Sequence, residues 1–313
     1  MPEPDQFWEF YWETRLAEIE TLGKRAAILA ASRAIRRLAG RLDRPLRLLE
    51  LGCGEGQIIG ILLDAHAALC DVRASAGIDY KAQSIECCRK FFPGARWVHG
   101  DFTDPKFMDG LGKFDVVLLV NVLHEVFSSA YSDERGEIDV PLGKLRVDQA
   151  LIDAASCLTP LGNLILFDGL EPDGDPDQRV RVRLLSTWAR DEFEMFVREY
   201  RPFHITYQEM DDPFCIELSQ HDFIRYIDKS IFLGKQLWET ERLESYQYFS
   251  KEEFRSAFAK HGMEIIDLET FTVNGEKWRK RVEIIPPEAG FPQEHVLIVA
   301  QRVADTVQRE TAG

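Results

Sequence analysis

The chain lacks the sequence patterns of a secreted or membrane-spanning protein. Its first fifteen residues, MPEPDQFWEFYWETR, are acidic and contain neither the basic stretch nor the apolar stretch of a signal peptide. The most apolar run, FDVVLLVNVLHEVF (114–127), is interrupted by Asp, Asn, His and Glu and is too short to cross a bilayer. The sequence therefore predicts a cytoplasmic protein that has no membrane partner.

Cysteine is scarce and follows no ligand pattern. The six cysteines, at positions 53, 70, 87, 88, 157 and 215, include no CxxC pair and have no histidine at zinc-site spacing. Scattered cysteines in a protein that is not secreted are typical of reduced, mostly buried thiols. We therefore expect no disulfide framework and no metal ion.

Positive charge is also in deficit, because the formal net charge is −15 at pH 7. A protein that follows a nucleic-acid backbone needs a basic surface, and no dense basic stripe is visible; the short basic cluster WRKRVE (278–283) is typical of a solvated face. We expect no nucleic-acid partner. With 45% hydrophobic and 29% charged residues and no biased tract, the composition is that of a folded globular protein.

Strand and helix patterns alternate along most of the chain, which predicts an α/β fold with a doubly wound, mostly parallel sheet of seven strands. Predicted strands cover 46–51, 72–80, 95–102, 114–122, 163–169, 263–273 and 294–302, and predicted helices cover 57–67, 81–92, 143–158 and 250–261. The segment before the last strand contains IIPPEAGFP and has no pattern for a crossover helix. We therefore expect the last strand to be antiparallel, between strands 163–169 and 263–273.

Two segments interrupt the alternation, and they suggest a division of the chain. Residues 1–45 have a helical pattern, and residues 170–249 form a helix-rich insertion after the fifth strand, at the edge where open α/β sheets bind ligands. The predicted parts are an N-terminal helical cap (1–45), an α/β core (46–169), a substrate cap (170–249), the completion of the core sheet (250–303) and a tail (304–313).

The stretch LLELGCGEGQII (48–59) places three glycines after a strand, where the backbone must bend and a ligand can approach closely. A dinucleotide-binding G-x-G-x-x-G turn requires a glycine at position 57, and Gln57 disfavours a dehydrogenase. The pattern of Glu50 followed by Gly52, Gly54 and Gly56 resembles motif I of the class I S-adenosylmethionine-dependent methyltransferases. The resemblance covers residues 46–169 and resumes at 250–302.

The remaining motifs of that family follow in order: GIDY (77–80), GDF (100–102), FDVVLLVNVLHEV (114–126) and LTPLGNLILFD (158–168). The resemblance implies S-adenosylmethionine as the cofactor, with Asp79 on the ribose hydroxyls and with Asp101 and Phe102 at the adenine. The residues that it assigns to cofactor binding are Tyr11, Arg15, Gly52, Cys53, Gly54, Asp79, Tyr80, Asp101, Phe102 and Asn121.

Several of these assignments have a structural alternative. The alternative for Asp79 is a cap on the helix beginning at Lys81, a role that is compatible with ribose binding, and the alternative for Asp101 is a turn residue. Tyr11 and Arg15 are assigned to the methionine carboxylate, and packing in a core is their alternative. Cys53 is expected to contribute its backbone N–H and to have an inert thiol.

Candidate catalytic residues follow the fourth strand, because the resemblance places that point beside the transferred methyl group. His124 has the ordinary pKa of a general base, and Glu125 follows it. One of the two is expected to face the pocket while the other supports a helix start. If His124 only packs, the search for the base moves to Tyr131, His204 and Tyr246. The polar stretch 128–143 reads as a lid loop or as disorder.

The sequence therefore predicts a methyltransferase acting on an oxygen or nitrogen atom of a small-molecule substrate, held between core and caps. A methyltransferase acting on a protein or a nucleic acid is an alternative with the same chemistry. A non-catalytic module that binds S-adenosylmethionine is an alternative of a different class. Neither the acceptor nor the oligomeric state can be predicted from these residues.

Overall fold

The computed structural model describes residues 22–175 and 177–303. The assignments to Tyr11 and Arg15, the start of the N-terminal cap and the tail 304–313 lie outside the described residues. Within the described part, residues 22–39 are helical, as the pattern predicts.

The seven strands and four helices that the sequence predicts for the core are all present, and the structure adds further short elements. The strands are Leu48–Leu51 (β1), Ala76–Asp79 (β2), Arg96–His99 (β3), Phe114–Val120 (β4), Tyr131–Ser132 (β5), Glu137–Ile138 (β6), Leu158–Gly169 (β7), Arg179–Leu184 (β8), Tyr207–Glu209 (β9), Cys215–Ser219 (β10), Met263–Phe271 (β11), Val282–Ile285 (β12) and His295–Arg302 (β13). The α-helices are Leu22–Ala39 (α1), Gln57–Ala65 (α2), Ala82–Phe91 (α3), Pro105–Met108 (α4), Leu123–Ser128 (α5), Val140–Ser156 (α6), Thr187–Glu199 (α7), Gln220–Lys229 (α8), Trp238–Glu241 (α9), Lys251–Lys260 (α10) and Gly275–Trp278 (α11).

Seven strands form the central sheet in the order β11-β13-β7-β4-β1-β2-β3. The pairs from β7 to β3 are parallel, whereas β13 is antiparallel to both β7 and β11. The prediction of an antiparallel last strand between the fifth strand and strand 263–273 is confirmed. The chain between β11 and β13 contains the one-turn helix α11, strand β12 and a three-residue 3-10 helix at Pro287–Ala289, which are too little for a parallel crossover.

Apolar layers cover both faces of the sheet, as a doubly wound fold requires. All seven residues of β4 are buried: Val116 and Leu118 pack toward α1 and α2, and Val117 and Leu119 pack toward α6 and α10. The alternation explains the continuous apolar run of this strand, because a central parallel strand has no solvent-facing side. No helix within 22–175 and 177–303 is both long enough and apolar enough to span a bilayer.

The insertion contains helices, as predicted, and it also contains three strands that the sequence pattern did not reveal. Strands β8, β9 and β10 join β12 in a four-stranded sheet of order β12-β8-β10-β9. The signal was the alternation RVRVRL (179–184), which places Val182 and Leu184 in the core while arginines face outward. We call residues 170–249 together with β12 the cap.

The aromatic residues of α7 stabilise the interior of the cap. Phe193, Phe196 and Tyr200 are buried in an apolar cluster with Tyr226 and Trp278. Trp188, at the start of the same helix, is more than half exposed. The buried rings of Phe193, Phe196 and Tyr200 therefore form the core of the cap and do not line the ligand cavity described below.

Candidate active site

A cavity of about 570 Å³ opens at the carboxyl ends of β1, β2 and β4. Its size is that of a site for a cofactor or small molecule. Residues of the glycine turn, of the ends of β2 and β4 and of α5 form its walls, and Thr240, Leu243 and Glu244 of the cap contribute to the lining. The sheet edge that the sequence predicts as the binding site therefore faces a partly open cavity.

The glycine turn leaves room for a ligand. Gly52 and Gly54 have φ angles of +69° and +51°, a region that residues with a Cβ rarely adopt. A Cβ at Gly52 would lie 2.3 Å from a methyl group of Val122, whereas a Cβ at Gly54 would have no atom within 4 Å. Only the second position borders open space, and that space belongs to the cavity.

Asp79 ends β2 with its carboxylate against the glycine turn. Its Oδ2 atom accepts the backbone N–H of Gly54 at 2.9 Å, and its Oδ1 atom accepts the N–H of Lys81 at 2.8 Å. Asp79 also lines the cavity, so a carboxylate held by two backbone groups keeps further acceptor positions directed at a ligand. The bond to Lys81 stands just before α3 begins at Ala82, so Asp79 serves the local backbone as well.

Cys53 contributes to the cavity wall, but its polar groups are engaged within the protein. Its backbone N–H donates to the carbonyl of Ile78 at 2.9 Å, so this N–H is not free for a ligand, contrary to the expectation from sequence. Burial raises the pKa of the Cys53 thiol well above its usual value. The thiol is therefore a poor nucleophile at neutral pH, as expected.

Glu50 lies beneath the turn and is almost completely buried. Its Oε2 atom accepts the backbone N–H of Ile59 at 3.1 Å, which ties β1 to helix α2. Burial raises the pKa of Glu50 to about 8. The side chain is therefore mostly protonated at neutral pH, and it can donate a hydrogen bond into the cavity that it lines.

The predicted adenine and ribose residues line one end of the cavity. Asp101 is exposed and accepts bonds from the N–H and hydroxyl of Thr103, while the buried ring of Phe102 forms part of the wall. Tyr80 is 57% exposed at the rim, where Lys81 lies over its ring. The structure thus brings these residues together around one space.

Two buried polar atoms in the wall lack hydrogen-bond partners in the described part of the chain. They are Oδ1 of Asn121 and Nε2 of Gln57. Buried polar atoms are normally paired, so an acceptor and a donor left over in a cavity wall suit a ligand that supplies both. Together with the open space at Gly54 and the carboxylate of Asp79, they fit a cofactor with ribose hydroxyls and a polar tail.

The other end of the cavity is formed by α5, the short hairpin β5–β6 and the cap. Glu125, Ser128, Tyr131 and Glu244 line it. Within the described residues, the Glu125 carboxylate has no hydrogen bond or ion pair, whereas Oε2 of Glu244 lies 3.2 Å from Nζ of Lys229. Burial raises the pKa of Glu125, which His124 partly opposes and Glu244 reinforces.

His124 lies behind the cavity wall. It is 3% exposed, and its Nδ1 donates to Oδ1 of Asp168 at 2.8 Å. Its ring stacks on Tyr246 at 3.9 Å, and its Nε2 atom is 3.9 Å from Glu244. Burial alone would lower the pKa of His124, but the charge and hydrogen bond of Asp168 outweigh it and raise the pKa. Of the two predicted catalytic residues, only Glu125 borders the cavity.

Of the three alternative bases that the sequence suggests, one borders the cavity and two do not. Tyr131 lines the cavity, His204 is exposed and outside it, and Tyr246 packs against His124. The cap residues Thr240, Leu243 and Glu244 have no motif, and sequence reasoning missed them. In the sequence, Gln57 is recognisable only as the residue that replaces the third glycine of a dinucleotide-binding turn. In the structure its amide nitrogen lines the site and has no partner within the described residues.

Residues 49–166 match the family model described as a methyltransferase domain. No curated protein is significantly similar to the chain. Similar solved structures include an O-methyltransferase family protein from Burkholderia thailandensis (12% identity, TM-score 0.44, covering 88% of this chain and 57% of that chain). Another is a putative methyltransferase from Bacillus halodurans (14%, TM-score 0.47, 87% and 99%). A third is an S-adenosylmethionine-dependent methyltransferase from Methanosarcina mazei (12%, TM-score 0.44, 86% and 97%). The chain thus spans little more than half the length of the first of these.

Proposed function

Because this chain is a class I S-adenosylmethionine-dependent methyltransferase, we propose that it methylates an oxygen or nitrogen atom of a small molecule. The observation that carries the proposal is the position of Glu125. Its carboxylate, which has no ion pair within the described residues, borders the same cavity as the cofactor residues and the cap residues Thr240, Leu243 and Glu244. An acceptor bound there would lie between a proton acceptor and the methyl donor.

S-adenosylmethionine, when bound, supplies an activated methyl group, so the protein chiefly has to position the reactants and exclude water. Asp79 and Asn121 would bind the polar groups of the cofactor. The open space beside Gly54 would let the cofactor lie against the backbone of the glycine turn. Protonated Glu50 would donate a hydrogen bond from beneath the turn.

The cap supports a small acceptor. Leu243, Glu244 and Thr240 come from the insertion, more than 100 residues beyond β4 in the sequence, and they line the same cavity as Glu125. A macromolecular acceptor would need an open approach to the methyl group, and the cap occupies part of it. The net charge of −15 also opposes a nucleic-acid acceptor.

Glu125 is the better candidate for the base, and the role of His124 is to position the helix that carries Glu125. A general base must come within hydrogen-bond reach of the acceptor, and Glu125 borders the space that the acceptor would occupy. Its raised pKa makes it a stronger base than an exposed glutamate. His124, held by Asp168 at the start of α5, is a positioning residue that fixes the helix carrying Glu125.

The proposal is tested with S-adenosylmethionine labelled in the methyl group and an extract of the source organism, divided by ultrafiltration. We expect label to enter compounds of the low-molecular-mass fraction, and Glu125→Gln to prevent this while still binding S-adenosylhomocysteine. Label found only in protein or nucleic acid would contradict the small-molecule acceptor. Failure of the wild-type protein to bind S-adenosylhomocysteine would contradict the cofactor assignment.

A further inference from the structure

A second group of ligand-type side chains lies outside the active-site cavity. Asp228 stands in the last turn of α8 in the cap, and Glu294 and His295 stand at the start of β13 in the core sheet. One nitrogen or carboxylate oxygen from each lies within 4.8 Å of the others. All three residues are at least nine-tenths buried.

Within 22–175 and 177–303, the two carboxylates of this group have no direct ion pair with a lysine or arginine, although the charge of the nearby Lys229 acts on Asp228. Lys229 itself is bound to Glu241 and Glu244 instead. The amide of Gln247 donates to Asp228, and the N–H of Val273 donates to Oε1 of Glu294. Two buried carboxylates with so little compensation are strongly unfavourable unless a cation or a proton neutralises them.

Two atoms of the group point to a ligand. Nδ1 of His295 and Oε2 of Glu294 are shielded from solvent and have no hydrogen-bond partner among the residues that the structure describes. Nδ1 lies 3.7 Å from Oε1 of Glu294, too far for a hydrogen bond. Atoms that share a metal ion at about 2.1 Å each lie roughly 3 to 4 Å apart, because the ion stands between them. The spacing of this group is close to that range.

We propose that Asp228, Glu294 and His295 bind one divalent transition-metal ion, of the Zn²⁺ or Mn²⁺ type, which fastens the cap to the core sheet. Two carboxylates and one imidazole are the mixed oxygen and nitrogen ligands that these ions accept, and a soft-metal site would need thiolates. A proton shared by the carboxylates would neutralise one charge but would leave His295 without a partner. A metal ion satisfies all three side chains.

The position gives the ion a structural role. Asp228 belongs to the cap. Glu294 and His295 lie at the start of β13 in the core sheet, beside the end of β7, because His295 pairs with Gly169. Tyr246 lies between this group and the active site, because its ring contacts those of both His295 and His124. An ion bound here would hold the cap segment that contributes Glu244 to the cavity. The site does not depend on which acceptor is methylated.

The test uses the full chain, treated with a chelator and then dialysed against micromolar Zn²⁺ or Mn²⁺. We expect about one equivalent of one of these ions per chain. Zn²⁺ or Mn²⁺ at a hundredfold excess over Kd should raise Tm by about 4 °C or more, because only the folded chain binds it. Hydrogen exchange of residues 220–229 should slow when the ion binds.

Matched variants locate the ion. Asp228→Asn and His295→Ala should reduce the bound metal at least tenfold, whereas His261→Ala, which removes a histidine paired with Asp148 elsewhere, should retain it. Wild-type protein that binds neither ion under these conditions would overturn the proposal without any variant. Metal binding that survives in both Asp228→Asn and His295→Ala would overturn it as well.

Discussion

The carboxylate of Asp168 accepts Nδ1–H of His124 at 2.8 Å through one oxygen and the backbone N–H groups of Val122 and Leu123 through the other. Asp168 ends β7, and the groups that it binds form the turn between β4 and α5. One buried side chain therefore fixes the direction in which α5 leaves the sheet. The position of Glu125 in the cavity depends on that direction.

Removing this carboxylate should destabilise the protein strongly. Asp168→Ala leaves the imidazole and the N–H groups without their acceptor, and we expect the free energy of unfolding to fall by about 3–5 kcal/mol. Urea denaturation measures the loss. Asp104→Ala, which removes a cap at the start of the one-turn helix α4, is the control and should cost only about 1 kcal/mol. Equal losses in the two variants would contradict the role assigned to Asp168.

The same pair predicts a pH dependence of stability. The pKa of His124 is raised in the folded protein, so its contribution is complete below its unfolded value of about 6.5 and is lost as pH rises through the folded pKa. Burial opposes ionisation of Asp168, but His124 and the bound N–H groups lower its pKa. Its contribution is therefore present above about pH 4 and is lost on acidification.

The stability advantage of wild type over His124→Gln should be largest between about pH 4 and 6.5 and should shrink at higher pH. Unfolding in urea across a pH series measures this difference. A difference that grows with pH would contradict the raised pKa. Turnover of His124→Gln should keep the wild-type acidic limb of the pH–rate profile, since this residue is not proposed as the base.

Glu50 gives a second pH-dependent prediction, with the same sign as that for His124 because the pKa of each group is raised in the folded protein. Its pKa of about 8 means that the folded protein holds a proton that the unfolded chain releases at neutral pH. The stability advantage of this proton is complete below about pH 4.3 and is lost as pH rises through 8. Glu50→Gln, which remains neutral, should therefore gain stability relative to wild type as pH rises, and thermal unfolding at several pH values measures the gain. No change in the difference would indicate an ordinary carboxylate.

Substitution of Gly54, compared with a matched control, distinguishes the effect of backbone strain from the effect of blocking the cofactor site. Gly54→Ala should lose about 1–2 kcal/mol of stability because its φ is +51°, and its methyl group should reduce the affinity for S-adenosylhomocysteine by tenfold or more. Gly112→Ala is the matched control: its φ is +94°, its Cβ would also meet no atom within 4 Å, and it lies outside the cavity. The control should lose similar stability and keep the affinity, as calorimetric titration will measure.

Asp79→Ala should weaken cofactor binding about a hundredfold, since two charge-assisted bonds to ribose hydroxyls are worth roughly 3 kcal/mol. Some stability should also be lost, because the variant leaves the N–H groups of Gly54 and Lys81 without an acceptor. Calorimetry on the folded variant separates the effects. Undiminished affinity would contradict the ribose assignment.

Glu125→Gln tests the proposed base. We expect turnover to fall by about a hundred- to ten-thousandfold, with cofactor affinity nearly unchanged. Because the pKa of Glu125 is raised by burial and the ionised form accepts the proton, the acidic limb of the wild-type profile should lie above the usual glutamate range. Loss of affinity without loss of turnover would make Glu125 a binding residue.

Much of the core was predictable because its signals are local. The apolar run of β4 shows that both faces are covered, and the glycines after β1 mark a turn that few other residues can form. The orientation of His124 and Glu125 was harder, since adjacent residues on a helix differ by about 100° in direction and no pattern fixes the starting angle. Glu244 was out of reach, because its place in the cavity depends on packing of the cap.

The strand β12 makes the cap a poor candidate for exchange or deletion as a unit. It pairs with β8 although it lies beyond β11 in the sequence, so the chain leaves the cap, forms a core strand and then returns to the cap before β13. Removal of 170–249 would strip β12 of its neighbour and leave Val282 and Ile284 uncovered. We therefore expect substitutions of side chains and changes at loop tips of the cap to be tolerated better than removal of residues 170–249, because such removal takes β8 away from β12.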